Sequence, residues 1–128
     1  VKFYQDPLQT LNTITGYGDN HVEINKVCYM HSVIVFPDGD VRNWSVSHFD
    51  ALLPEHFESL ISLSPEVVIF GSGKRLRLQN PRLTASLAEL QIGVEAMNFQ
   101  AACRTYNILM AEGRKVVLAL LIESETTT

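Results

Sequence analysis

Gly71-Ser72-Gly73-Lys74-Arg75 is the stretch of this sequence best suited to holding a charged group. It directly follows the apolar run Val67-Val68-Ile69-Phe70, bounded by Pro65 and Gly71, which reads as a strand covered on both faces. The carboxyl end of such a strand opens onto a rim of loops, where α/β sheets bind ligands. Glycines beside Ser72 let the backbone turn its N–H groups toward an anion, and Lys74 and Arg75 add positive potential. The sharper nucleotide motifs fail. A dinucleotide fingerprint needs a third glycine where Leu76 stands, and a phosphate loop needs Ser or Thr where Arg75 stands. A tight turn is therefore the plainer role for the glycines, and a ligand loop the sharper one. Leu76 and Leu78 alternate with Arg75 and Arg77, as in an edge strand or extended loop. Lys74, Arg75, Arg77 and Arg82 are four of the ten basic residues, within nine positions. Such a cluster is either a solvated edge that blocks unwanted pairing or a patch for an acidic partner or anionic ligand. No aromatic residue interleaves it, which argues against single-stranded nucleic acid.

Other reactive residues are less well placed. Glu95 sits between Val94 and Ala96 on a short apolar segment. It is a candidate general base, or a structural partner for Arg104 or Arg114. The structural role is favoured, because nothing names a nucleophile beside it. Asn98 is expected to cap the helix that follows, and Glu95 borders the same rim as the glycine loop if its strand runs parallel to residues 67–70. Cys103 falls on the apolar stripe of that helix, where cysteine is usually a small buried hydrophobe. A helix start modestly favours a thiolate, yet no histidine is placed to act as its base. Cys28-x-x-His31 has a suggestive spacing, but an odd separation on one strand sends the two side chains to opposite faces. His48 and His56 stand eight apart with Pro54 between them. No metal site and no cofactor are expected.

The elements that must position these groups follow from periodicity. Residues 1–20 are polar and irregular, with Gly16-Tyr17-Gly18 marking a turn or ordered loop. Residues 21–24 alternate, and Asn25-Lys26 is a plausible two-residue turn into one long strand over 27–36. Pro37-Asp38-Gly39 turns the chain back into a strand over 41–44. Leu53, Phe57, Leu60 and Ile61 share one helical face, predicting a helix over 54–63. Asn80-Pro81 opens a second helix, and residues 92–97 form a strand. Asn98 opens a third helix, whose stripe is Phe99, Ala102, Cys103, Tyr106, Leu109 and Met110 and which Gly113 ends. Residues 116–122 are apolar throughout and read as a central strand. The second half is thus β-α-β-α-β, which favours a sheet with helices on its faces.

Composition narrows the function classes. The chain has 128 residues, enough for one domain with its own core. Its formal charge of −4 argues against a general nucleic-acid or anionic-membrane binder. No apolar run approaches the roughly 18 residues of a membrane span. The first residues lack the pattern of a signal or transit peptide, and two cysteines make no disulfide framework. A cytoplasmic location is expected.

Several segments taken together, in this order and spacing, resemble a known family. They are Thr15-Gly16-Tyr17-Gly18 with Val22-Glu23-Ile24-Asn25, then Pro65 through Gly73, Gly93 through Asn98, and Ala101 through Val116. They are similar to a family of small uncharacterised α/β proteins of bacteria and archaea. Its domain also occurs in an assembly factor of mitochondrial respiratory complex I and in an adipogenesis-associated animal protein. The resemblance covers about residues 8–122 and implies a layered single domain; with the chain's polar end, the expectation is one domain over 1–128, its core at about 8–122 and 123–128 a flexible tail. The resemblance also implies a mixed central sheet with helices against it, plus an N-terminal antiparallel β-hairpin layer. It implies no established activity, cofactor or catalytic residue. The family's usual Asp-Thr before the last helix is replaced here by Asn98-Phe99, which keeps a cap and loses a hydroxyl. The expectation is a non-enzymatic interaction or assembly-type protein with a protein partner, itself a monomer or weak homo-oligomer. The alternative is an anion-binding protein or enzyme working at Gly71, Ser72 and Gly73, with Lys74, Arg75, Glu95 and Asn98 nearby.

Overall fold

The structure, a computed structural model, describes residues 11–123. Strands β1 (Ile14–Tyr17), β2 (Val22–Ile24) and β3 (Val27–Tyr29) form a small antiparallel sheet in the order β1-β2-β3. Strands β4 (Val33–Val35), β5 (Arg42–Asn43), β6 (Val67–Gly71), β7 (Gly93–Met97) and β8 (Val116–Leu120) form a five-stranded sheet in the order β5-β4-β8-β6-β7. That sheet is mixed: β6 runs parallel to β7 and β8, whereas β4 is antiparallel to β5 and β8. Helices α1 (Pro54–Glu58), α2 (Ala85–Glu89) and α3 (Phe99–Ala111) pack against it. The result is one α/β domain of the expected layered kind.

Central β8 is buried at every position and divides its side chains by the period of two. Val116, Leu118 and Leu120 join a core with α3 and the small sheet. Val117, Ala119 and the following Leu121 join a second core with Trp44, Phe57, Phe70 and Leu87. A strand buried on both faces must be apolar throughout, and this one is.

Three expectations need correction. The long strand over 27–36 is two strands in two sheets, because the chain crosses over at Met30–Ser32. There the Ser32 hydroxyl accepts from the Ile122 N–H at 2.8 Å and so docks the crossover onto the end of β8. Residues 14–17 form a strand where a turn or loop was expected. Only Ile14 of the four is buried, and tertiary contacts hold the strand in place. The Asn107 carboxamide both accepts from and donates to Ile14, at 2.9 Å each. The helix over 54–63 stops at Glu58 and resumes only as a 3₁₀ turn over Ile61–Leu63. The Ser59 and Ser62 hydroxyls donate to the carbonyls of His56 and Ser59, and Leu60 N–H bonds only three residues back, to Phe57. Serine side chains compete in this way with helical bonding. The Asn25-Lys26 turn, the β6, β7 and β8 strands and the Asn98-capped helix form where expected. Except for Glu123, the expected tail lies outside the described residues.

Candidate functional site

A cleft of about 890 Å³ opens at the carboxyl ends of β6 and β8. Its walls come from four places: the loop after β1 with Tyr17, the segment Gly73–Arg77, the start of α3, and Leu121–Glu123, with His48 beside them.

The glycine loop divides into a buried half and an open half. Gly71 stands where a Cβ would lie 2.5 Å from Leu120 Cδ1 and 3.1 Å from Ala102 Cβ, so its bare backbone lets α3 and β8 close on β6. Ser72 is fully buried. Its N–H donates to Met97 O at 2.9 Å, and its Oγ accepts from Arg77 N–H at 2.8 Å. The same hydroxyl reaches the carbonyls of Arg75 and Met97 at 3.0 and 3.2 Å. Its polar groups are thus committed within the protein. Gly73, at φ +107°, turns the chain outward, and its carbonyl accepts from Phe99 N–H at 2.7 Å.

Arg77 points inward and pins the loop. Its guanidinium lies 4.5 Å from the centroid of the Phe49 ring, donates to Ser72 O at 2.6 Å and pairs with Glu123 Oε1 at 2.9 Å. The other Glu123 oxygen accepts from Phe49 N–H at 2.8 Å. Partial burial pushes the Glu123 carboxyl up, but the Phe49 N–H and Arg77 outweigh it and hold the group below its ordinary value. Lys74 and Arg75 are exposed and enter no ion pair among the described residues. The cleft is lined by three cations, Lys74, Arg75 and Arg77, against two carboxylates, Asp19 and Glu123.

The start of α3 adds partial positive charge. Asn98 Oδ1 accepts from Ala101 N–H at 2.9 Å, the cap expected of it. Phe99 N–H is taken by Gly73, so Gln100 has the first-turn N–H without a protein partner among the described residues. Tyr17 meets Phe99 edge to face at 6.0 Å and floors this end of the cleft.

Of the residues singled out in the sequence, Gly73, Lys74, Arg75 and Asn98 line the cleft. Gly71 and Ser72 lie behind it. Glu95 is brought into register with Ile69 at the middle of β7, is exposed and does not line the cleft. Arg114, one of its two expected partners, pairs with Glu66 at 2.9 Å instead. Cys103 is buried, and its thiol is pushed up to about 12 by that burial, against a small opposing effect of Arg104. Among the described residues no group of three His, Cys, Asp or Glu could hold a metal ion, and no helix is long and apolar enough to cross a membrane. Sequence reasoning missed the place of His48 beside the cleft, the inward turn of Arg77 and the Glu123 latch. Phe49 and Glu123 meet across 74 positions, and no local pattern signals that contact.

Fold and cleft define a small α/β domain with a mixed sheet and a cationic mouth at its carboxyl edge. The chain belongs to the family described as proteins of unknown function DUF498/DUF598, whose model matches residues 14–121. It is similar to a Bordetella parapertussis protein of known crystal structure, at 43% identity and a TM-score of 0.85, covering 89% of this chain and 98% of that one. A Bordetella pertussis protein solved by NMR and described as an Mth938-like domain is 35% identical, at a TM-score of 0.82, covering 98% and 95%. NADH dehydrogenase [ubiquinone] 1 alpha subcomplex assembly factor 3 of Drosophila melanogaster is 28% identical over 113 residues, 84% of this chain and 57% of that protein. The chain spans about half the length of the assembly-factor relatives it matches.

Proposed function

We propose that this chain is a non-enzymatic interaction protein of assembly type. In this reading it grips an acidic, apolar segment of a protein partner with residues 74–82 and the mouth of the cleft. One observation carries the reading. No acidic residue occurs between Glu66 and Glu89, while Lys74, Arg75, Arg77 and Arg82 all fall there, and Leu76 and Leu78 are 54% and 75% exposed on the same segment. A lone exposed leucine means little. Two of them on a segment pinned at its base by Ser72 and Arg77 make a fixed apolar surface ringed by positive charge, in a chain whose net charge is −4. Kinship with proteins named as assembly factors supports the class and transfers no partner. A cytoplasmic location fits the exposed free thiol of Cys28.

The test is affinity capture from the source cell with quantitative mass spectrometry. Wild type should retain one stoichiometric partner. Leu76→Asp/Leu78→Asp and Lys74→Glu/Arg75→Glu, each with an unchanged circular dichroism spectrum, should lose it by at least about tenfold, since hot-spot losses exceed 1.4 kcal/mol. Equal capture by both variants would place recognition elsewhere.

A second reading, a small-anion site, is favoured by the Gln100 N–H, unpartnered among the described residues, at a helix start that lines the same cleft as Lys74 and Arg75. Titration with phosphate and small carboxylates should then shift the amide signals of residues 73–75 and 100. Shifts confined to the histidines, or none, would leave the partner reading alone.

A further inference from the structure

Four strand edges bound the two sheets, and three of them are blunted. The outer edge of β1 is filled by the Asn107 carboxamide, whose two hydrogen bonds to Ile14 stand in for a neighbouring strand. Strand β5 is only Arg42 and Asn43. Strand β7 carries the exposed Glu95 at its centre. Short or charged edges resist pairing with another chain. Strand β3 is also short, at three residues, but it is neither filled by a side chain nor charged. Val27-Cys28-Tyr29 is uncharged, its outer edge pairs with no strand among the described residues, and Val27 and Met30 are 53% and 71% exposed beside it.

We propose that β3 pairs antiparallel with β3 of a second copy of this chain, across a two-fold axis at Cys28, joining two three-stranded sheets into one of six. The hairpin geometry selects that register. Asn25 and Lys26 both have positive φ, 49° and 72°, the signature of a two-residue I′ turn. In such a hairpin the flanking pair, Ile24 and Val27, exchanges its hydrogen bonds. Backbone groups alternate in direction along a strand, so the N–H and C=O of Cys28 point away from β2. An axis at Cys28 lets each of these groups meet its own copy.

An isologous contact must also be self-complementary in its side chains. Here Val27 meets Tyr29 of the second copy, twice, on the face where Val22 and Ile24 are buried. Lys26 meets Met30 of the second copy, twice, so no like charges oppose each other. That internal symmetry is why a second copy fits this edge better than an unrelated strand. The contact is short, which corresponds to association at roughly 0.1–1 mM. It lies at the far edge of the small sheet from β1 and is independent of the cleft.

Sedimentation equilibrium of the full chain, run up to about 1 mM, tests the proposal. The average mass should rise from 14.4 kDa toward twice that value. Cys28→Lys sets two lysines face to face across the axis and should hold the chain monomeric at every concentration, with its circular dichroism unchanged. Met30→Glu sets a carboxylate opposite Lys26 and should tighten association about two- to fivefold. The Cα atoms of a hydrogen-bonded antiparallel pair lie about 5.5 Å apart, within disulfide reach, so mild oxidation should link two chains through Cys28. Cys28→Ser should abolish the link, because Cys103 is buried. Wild type that stays at 14.4 kDa would overturn the proposal, as would Cys28→Lys associating like wild type or Met30→Glu without effect.

Discussion

On one face of the five-stranded sheet, the 13-residue helix α3 and the small sheet cover the strands; on the other, α1 and α2 do so with five residues each, helped by 3₁₀ turns. The α3 face owes its order to a regular element. Phe99, Ala102, Cys103, Tyr106 and Met110 recur at helical spacing and are all buried. The opposite face owes its order to aromatic packing. Phe70 touches the Trp44, Phe57 and Phe49 rings at centroid distances of 6.0, 5.5 and 6.2 Å. Short helices contribute little stability of their own, so large side chains must supply what helix length does not. The comparison teaches that two faces of one sheet can be equally buried by unlike means, and it predicts unlike sensitivities to mutation.

The largest effect should come from the aromatic face. Phe70→Ala removes the ring common to three aromatic contacts and should cost about 4 kcal/mol in urea unfolding. A loss under about 1 kcal/mol would mean that the cluster collapses around the gap. On the α3 face a buried polar contact is next. Tyr106 Oη donates to Asn12 O at 2.8 Å, and Tyr106→Phe should cost about 2 kcal/mol by stranding that buried carbonyl. A neutral Tyr106→Phe would show that water reaches Asn12.

Cys103→Ala should cost about 1 kcal/mol through lost packing, and bulky thiol reagents should label native Cys103 far more slowly than Cys28. The sign of its pH dependence is fixed. Its folded pKa is raised from 9.0 to about 12, so its contribution is intact below 9 and is lost as pH rises toward 12. Cys103→Ala should flatten that alkaline decline, and an unchanged slope would assign it to other groups.

Glu123 carries the opposite sign. Its folded pKa is lowered, so its stabilisation is present above its ordinary value of 4.5 and fades as pH falls through the folded value. Glu123→Gln should reduce the acid-side loss of stability slightly, since the carboxylate is partly exposed and screened. The smallest effect belongs to Glu95. Exposed at mid-strand and outside the cleft, Glu95→Gln should leave the unfolding midpoint within experimental error, whereas a large shift would reveal a partner for it.

The same contrast explains how much was legible. The stripe of α3, its Asn98 cap and the Gly113 stop are local signals, as are the apolar runs of β6 and β8, and they determined those elements and the burial of Cys103. The turn of Asn25-Lys26 was equally local. The fragmented α1 region was not, because competing serine hydroxyls broke a helical pattern that periodicity alone would extend. Strand β1 was illegible for the same kind of reason: its edge is completed by Asn107, 93 positions away.

At the cleft the sequence by itself put Gly73, Lys74 and Arg75 on one loop after a strand and offered Asn98, after another strand, as a separate candidate; the parallel pairing of β6 and β7 brought the two strand ends together. It also marked the basic cluster Lys74, Arg75, Arg77 and Arg82, on which the proposed recognition surface is built. Tertiary structure alone decided that Ser72 faces inward, that Arg77 is a pin and not a free cation, and that Glu123 and Phe49 close the far wall. The physical reason is that a hydroxyl or a guanidinium is committed by partners brought from distant positions, and its direction is set only when those partners arrive.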